Sequence, residues 1–399
     1  MTSKRSVLFI VDWYEQSTHR AVSEYARQAG WDLFTIGARS FYLPSWWKGG
    51  GVISLCSGSP SGLSQFISGV GRRTPVVDMA NRYPKLRAVR VIPDEHRIGE
   101  LAAEHFLERG FRHFAFIHNL DLWQEVGRQT GYQERLAQAG MEVARIQWRS
   151  QDGAADFAQA EIADIVALPK PLALFVMHDD VADRLMRRMV EEGINIPGDV
   201  ALVSVNNDEF ICDYAPVPLS SVDPDWYAVG WTAAETLQCL MAGGRAPQEP
   251  VLVPPKGMVC RASSDVFTTQ DPVTAKALRY IHNNSHLALK ASDVVAYVGV
   301  SHGTLLQRFH QHRRCSLNQQ IIRFRLGRIK ELLATRSLSG VEIARQLNFG
   351  RPKALYDFFR KHEGSSFGEY RRALRAAVKD PGRRTQDAGP RTLTLSPES

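Results

Sequence analysis

Cysteine is scarce and unpaired in this sequence. The five residues (Cys56, Cys212, Cys239, Cys260, Cys315) are odd in number and never form C-x-x-C, which argues against a disulfide framework and for a reducing, cytoplasmic setting. Long apolar runs are also missing, and none approaches the roughly 18 residues a membrane span needs. The N-terminal MTSKRSVLFIVDWYE carries an apolar run only over residues 7–11 before Asp12 ends it, so it reads as a buried strand and not as a signal peptide. No strand is followed by G-x-G-x-x-G or G-x-x-x-x-G-K-[ST], so no nucleotide cradle and no cofactor is expected. A nucleophile elbow and a zinc signature are lacking too, and catalysis is not expected. His302, His310, His312 and Cys315 lie close together, but their spacings fit no standard zinc pattern, and no metal is expected.

Charge is present but unevenly placed. The net +7 divides into residues 1–271, with 26 Lys/Arg against 33 Asp/Glu, and residues 272–384, with 22 against 7. An acidic module thus precedes a strongly basic one, and a basic excess of that size is the footprint expected for a polyanionic partner.

The first 260 residues alternate short apolar runs (7–11, 51–55, 75–79, 114–118, 173–177, 201–205) with amphipathic stretches such as IGELAAEHFLERG, TGYQERLAQAG and VADRLMRRMVEEG. Each of these stretches ends in glycine, as helix C-termini prefer. That rhythm predicts α/β architecture, parallel sheets with helices on both faces, over residues 5–260. Five prolines between Pro247 and Pro272 mark a last extended strand and a linker, 261–272. Residues 273–377 read as helices only, and the polar 378–399 is expected to be disordered.

Two helix-turn-helix units are legible in the basic part. In KASDVVAYVGVSHGTLLQRFH, Gly299 takes the turn, Ser301 caps the next helix and Leu305, Leu306 and Phe309 face inward. Ser301, His302, Gly303, Thr304, Gln307 and Arg308 are left for a groove. In EIARQLNFGRPKALYDFFRKHEG and the residue before it, Val341, Ile343, Ala344 and Leu347 make the apolar face. Asn348 takes the left-handed turn, and Pro352 suits the first helical turn. Leu355, Phe358 and Phe359 face inward, leaving Arg351, Lys353, Ala354, Tyr356, Asp357 and Arg360 outside. A helix of about 18 residues, about 27 Å long, separates the units and sets them near the roughly 34 Å repeat of the major groove. These motifs, with RFRLGRIKELL, I-A-x-x-x-x-F, FF-R-K and E-Y-R, resemble the AraC-type DNA-binding domain. Asn348, Arg314 and Phe367 depart from the usual glycine, glycine and proline.

Ligands of open parallel sheets sit beyond the carboxyl ends of the strands. Those ends carry Asp12, Trp13, Asp94, His178, Asp179, Asn206 and Asn207, residue types that bind hydroxyls or cover a sugar ring. The segments VIPDEHRIGELAAEHFLERGFRHFAFI, RQTGY, FVMHDDVAD and INIPGDVALVSVNND resemble, in order, the two-lobed ligand-binding domain of LacI-type regulators. The resemblance implies sugar contacts at Asp94, Arg128, His178, Asp179 and Asn206. Trp123 lies in a loop leading into the same cleft. His178 stands for an amide and Asn206 for an aspartate. Asp12 and Asp94 are expected on the first lobe, and Arg128, Asp179 and Asn206 on the second. Sensor first and reader second is the order of xylose-operon-type regulators. It implies a dimeric, sugar-responsive transcription factor whose partners are operator DNA, xylose or a related monosaccharide, and RNA polymerase. The competing reading is a sugar-binding module whose helical domain makes protein contacts.

Overall fold

Two parallel sheets are what the buried apolar runs build in the computed structural model, which describes residues 5–37, 47, 49–56, 74–82, 86–118, 123–148, 157, 159–269, 271–313, 315–334 and 338–372. Arg314 and the 378–399 tail lie outside the described residues. The first sheet runs Val251–Val253, Val89–Pro93, Val76–Asp78, Gly51–Leu55, Ser6–Val11, Asp32–Gly37, with every pairing parallel. The second runs Gly257–Val259, Ser220–Asp223, Val200–Val205, Leu172–Val176, His113–His118, Val143–Gln147, and only Gly257–Val259 is antiparallel. Central strands such as VALVSV are buried throughout, as helices on both faces require.

The chain crosses between the sheets three times. After Pro93 it enters the helix Glu95–Glu108, whose Ile98, Ala102 and Phe106 sit in the core of the second sheet. After Asp223 it enters Trp226–Met241, whose Val229, Ala233 and Leu237 belong to the first-sheet core. The third crossing joins Val253 to Gly257. Asp94 therefore stands at a crossing, at the carboxyl end of a first-sheet strand: its N–H donates to the Val253 carbonyl (2.8 Å), while its carboxylate caps the second-lobe helix at Arg97 N (3.0 Å).

Two second-lobe helices, Glu95–Glu108 and Trp123–Ala137, meet at glycines. A Cβ on Gly99 would fall 2.0 Å from the Arg128 carbonyl oxygen, and one on Gly131 2.0 Å from that of His96. The helices can approach this closely only because both positions lack a side chain.

The C-terminal helices are Pro272–Asn283, Ala291–Val298, His302–Arg313, Leu317–Ala334, Gly340–Gln346 and Pro352–Glu363. The 18-residue Leu317–Ala334 serves two cores. Leu317, Ile321 and Phe324 pack with Leu278, Ile281 and Phe309, while Ile329 and Leu333 pack with Ile343, Leu355 and Phe359. Arg325, between those sets, ties the units: it donates to the Leu287 carbonyl (2.7 Å) and the Leu347 carbonyl (2.9 Å) and lies over Phe349 (4.2 Å).

Two inward assignments need correction. Val341 is 61% exposed and Leu306 38% exposed, each at the edge of its helix's apolar face, whereas Ile343 and Leu305 are buried.

The turn residues Gly299 and Asn348 have φ of 82° and 51°. Asn348→Gly is expected to leave stability unchanged or slightly raised. Asn348→Val should lower it by about 1–2 kcal/mol, read from urea unfolding of the full chain. A Val variant as stable as the parent would contradict this turn.

Candidate effector cleft and candidate DNA interface

On the second lobe, where the sequence places the floor of an effector cleft, stands a buried ion pair. The glycine contacts above bring Arg128 (1% exposed) to Glu95 (6% exposed), with Nε to Oε2 at 2.5 Å and Nη2 to Oε1 at 3.3 Å. Arg128 Nη1 also donates to the Met177 carbonyl and lies 3.4 Å from His178 Nδ1. The arginine fork, expected to hold sugar hydroxyls, is therefore already engaged by the protein.

His178 is set by this neighbour. Arg128 Nη1 and Asn206 Nδ2 (3.2 Å) are both donors aimed at its Nδ1, so Nδ1 accepts and the proton resides on Nε2. Burial, and then the nearby guanidinium, lower its pKa to about 3, so the ring is neutral. Asn206 has φ 118° and Asn207 φ 53° at the end of Val200–Val205. Among the described residues no donor reaches either buried amide oxygen, Asn206 Oδ1 or Asn207 Oδ1. Unmatched buried acceptors of this kind are costly, and a hydroxyl-bearing ligand would satisfy them.

Asp179 is also internally committed. Its Oδ1 accepts from Ser204 Oγ (2.5 Å) and Ser221 Oγ (2.7 Å), and Oδ2 from the Asp208 N–H (2.8 Å). Burial raises its pKa to about 6, against the lowering effect of these donors. The carboxylate organises strand ends; both oxygens are occupied.

On the first lobe, Asp12 is half-buried at the end of Ser6–Val11, and its N–H donates to the Leu55 carbonyl (3.2 Å). Trp13 meets Trp226 edge-on at 5.2 Å, beside the second crossing, so part of its surface is used in packing. Trp123 begins a helix and does not lie in a loop; its side chain is outside the described residues. The structure thus brings Arg128, His178 and Asn206 together, with Asp179 next to them, and leaves Asp12 and Trp13 on the other sheet. Sequence reasoning missed Glu95. The D-E pair at 94–95 was in view, but nothing local says that the second acid meets an arginine 33 residues away.

On the candidate DNA face, Ser301, His302, Gln307, Arg351, Lys353, Asp357 and Arg360 are exposed, while Thr304 and Ala354 are half-buried. Ser301 Oγ caps its helix at Thr304 N (3.1 Å). Arg360 Nη2 lies 3.7 Å from Asp357 Oδ1. Tyr356 packs on Phe367 (5.0 Å) and covers Gly340, where a Cβ would meet its hydroxyl at 2.3 Å. Arg308 is ion-paired with Asp271, the N-cap of Pro272–Asn283, which makes it a stabilising residue before it is a base reader. Among the described residues no cluster of three or more His, Cys, Asp or Glu could hold a metal, and no helix is long and apolar enough to cross a membrane.

Comparison with known proteins assigns the classes. Residues 103–264 match the periplasmic binding protein-like domain, and residues 294–373 match the helix-turn-helix domain. The chain therefore joins a binding-protein-like domain to a helix-turn-helix domain. Over 384 residues it is 26% identical to the xylose operon regulatory protein of Escherichia coli, covering 90% of this chain and 94% of that protein. The Haemophilus influenzae protein of the same name is 25% identical over 293 residues, 70% of this chain and 74% of that one. A solved structure described as a xylose-binding transcription activator has a TM-score of 0.55 at 22% identity, covering 93% of this chain and 99% of that one, a likeness of fold.

The His178 environment sets a pH dependence. A folded-state value of about 3 against an ordinary 6.5 means that the unfolded chain takes up a proton there first. The stability contributed by neutral His178 is present above pH 6.5 and lost as pH falls toward 3. His178→Gln should therefore lose less stability than the parent between pH 7 and pH 4.5 in urea unfolding. Equal losses would place the imidazole in water.

Proposed function

We propose that this chain is a sugar-responsive, sequence-specific DNA-binding regulator of a carbohydrate-utilisation operon, with xylose or a related monosaccharide as effector. One observation carries the reading: Arg128, the cation of the expected cleft floor, is already paired with Glu95, so the floor offers hydrogen-bonding groups rather than a free positive charge, and it precedes a double helix-turn-helix. Arg128 is neutralised by Glu95, Asp179 is occupied by hydroxyls and an amide, and His178 is uncharged. What is offered is a His178 Nε2–H donor and the Asn206 and Asn207 amide oxygens as acceptors. A ring hydroxyl both donates and accepts, so a neutral sugar matches this set. A phosphate or carboxylate would meet two acceptors. The similarity to xylose operon regulatory proteins supports the same effector. A homodimer reading two half-sites, contacts to RNA polymerase, a cytoplasmic location and the absence of catalysis belong to this proposal.

Sugar contacts are accordingly assigned to His178, Asn206 and Asn207 on the second lobe and to Asp12, Trp13 and Asp94 near the first. Arg128 and Asp179 act through them. Arg128→Ala is a poor test of binding, because it leaves Glu95 buried and unpaired, at about 3–5 kcal/mol of stability. Asn206→Leu is the better one. Calorimetric titration of the full chain should show D-xylose binding, no D-xylonate binding, and at least a tenfold loss of xylose affinity in Asn206→Leu. Equal binding of xylonate would contradict this reading of the floor.

The DNA face is tested by Lys353→Ala. Base contacts discriminate by about 1–3 kcal/mol, so affinity for a duplex selected by the parent from a random pool should fall at least fivefold more than affinity for unselected DNA. Equal loss on both would assign Lys353 to phosphate. An absence of salt-sensitive duplex binding by the parent chain would favour protein contacts instead. Arg308→Ala should lower stability rather than specificity, by freeing Asp271.

A further inference from the structure

The last observation unused by this reading is a line of buried polar groups running from the cleft to the DNA-binding domain. Ser204, Ser220, Ser221, Ser263 and Ser264 are all fully buried. From Asp179 the line passes through Ser204 Oγ, which donates to Asp179 Oδ1 (2.5 Å) and lies 3.3 Å from the Ser220 carbonyl. Ser264 Oγ then donates to Ser220 Oγ (2.7 Å), and His105 Nε2 lies 2.7 Å from Ser264 Oγ. The segment that leaves the sensor is thus sewn into the second lobe, not strung between domains.

The line ends at Arg109, 1% exposed at the C-terminus of Glu95–Glu108. Its Nε donates to the Ser264 carbonyl (3.0 Å), Nη1 to the His105 carbonyl (3.4 Å), and Nη2 to Cys260 Sγ (3.1 Å) and His282 Nε2 (3.3 Å). Among the described residues no carboxylate pairs with it. Its guanidinium also lies 5.4 Å from the Phe267 ring, and its carbonyl accepts from Thr268 N (2.9 Å) and Oγ1 (3.1 Å). Phe267 is part of the first helix-turn-helix core, with Leu278, Ile281 and Phe324, and His282 lies on Pro272–Asn283 of that unit. A sensor arginine held only by neutral acceptors therefore takes one of them from the DNA-binding domain. Losing His282 would leave a buried cation short of an acceptor, so the joint has a strong preference for one seating.

We propose that the Arg109–His282 contact is the joint through which the state of the cleft fixes the seating of the DNA-binding domain, with the Asp179–Ser204–Ser220–Ser264 line as the connection. The proposal rests on the sugar-regulator reading above. Arg109 and His282 touch neither effector nor DNA; they are positioning residues. A contact that differs between the two cleft states is what coupling requires.

The test measures the affinity of the full chain for the selected duplex with and without saturating D-xylose, by fluorescence anisotropy, and expresses coupling as their ratio. His282→Gln keeps an acceptor for Arg109 and should retain the parent's ratio within twofold. His282→Leu removes the acceptor and should bring the ratio within twofold of 1, while xylose affinity without DNA stays within twofold of the parent's. Retention of the parent's ratio in the Leu variant overturns the proposal. Loss in both variants also overturns it, since a merely structural role would give that result. Should the Leu variant not bind DNA, Ser264→Ala decides by the same ratio, with loss supporting and retention overturning. A parent ratio of 1 despite xylose and DNA binding removes the regulator reading itself.

Discussion

The Arg128–Glu95 pair is the constraint on which the cleft depends. Two glycine-mediated helix contacts bury it, and burial obliges the two charges to stay together, since either alone would be several kcal/mol worse. Once the guanidinium is fixed, Met177 and His178 are fixed with it, and His178 can only be a neutral imidazole with its proton on Nε2. Asn206 completes the arrangement by donating to the same Nδ1, which leaves its amide oxygen without a donor among the described residues. A site built around an ion pair thus has its arginine charge engaged by the protein itself.

The same principle of internally engaged charge recurs away from the cleft. Asp179 is held by two serines and an amide, Arg325 by two carbonyls and an aromatic ring, and Arg109 by neutral acceptors at the domain joint. Each lies where two elements must keep a fixed relation: strand ends in the first case, the two helix-turn-helix units in the second, sensor and reader in the third. Apolar packing fills these interfaces but is indifferent to small sliding. Directional hydrogen bonds to a buried cation or carboxylate are not, and that is what gives each junction a defined register.

Much of this fold was legible because the sheets are buried on both faces. Runs such as VLFIV and ALFVM announce strands without alternation, and Gly110, Gly140 and Gly193, all with φ between 72° and 85°, mark helix ends as expected. Asn348 showed that a turn can be identified from conformational need when the usual glycine is missing. Other features gave no local signal. The strand Ser220–Asp223 reads SSVD because two of its three buried side chains are hydrogen-bonded serines rather than aliphatics. The ion pair of Arg308 was not legible because its partner Asp271 lies 37 residues earlier, at the start of another helix. The Glu95 partner of Arg128 gave no local signal for the same reason: which groups an arginine engages is decided by tertiary proximity. Val341 was misassigned because the two turns of Gly340–Gln346 do not fix the angle of an apolar face, and Leu306 because it sits at the edge of its helix's apolar face, beside the buried Leu305.

The central claim is that a neutral sugar in the cleft and DNA on the helical domain are linked through one chain. Calorimetric titration of D-xylose into the full chain, alone and saturated with its selected duplex, measures that link directly. Linkage requires that DNA change xylose affinity by the same factor as xylose changes DNA affinity. The account predicts equal factors, at least fivefold from unity. Xylose affinity that is the same with and without DNA would contradict it.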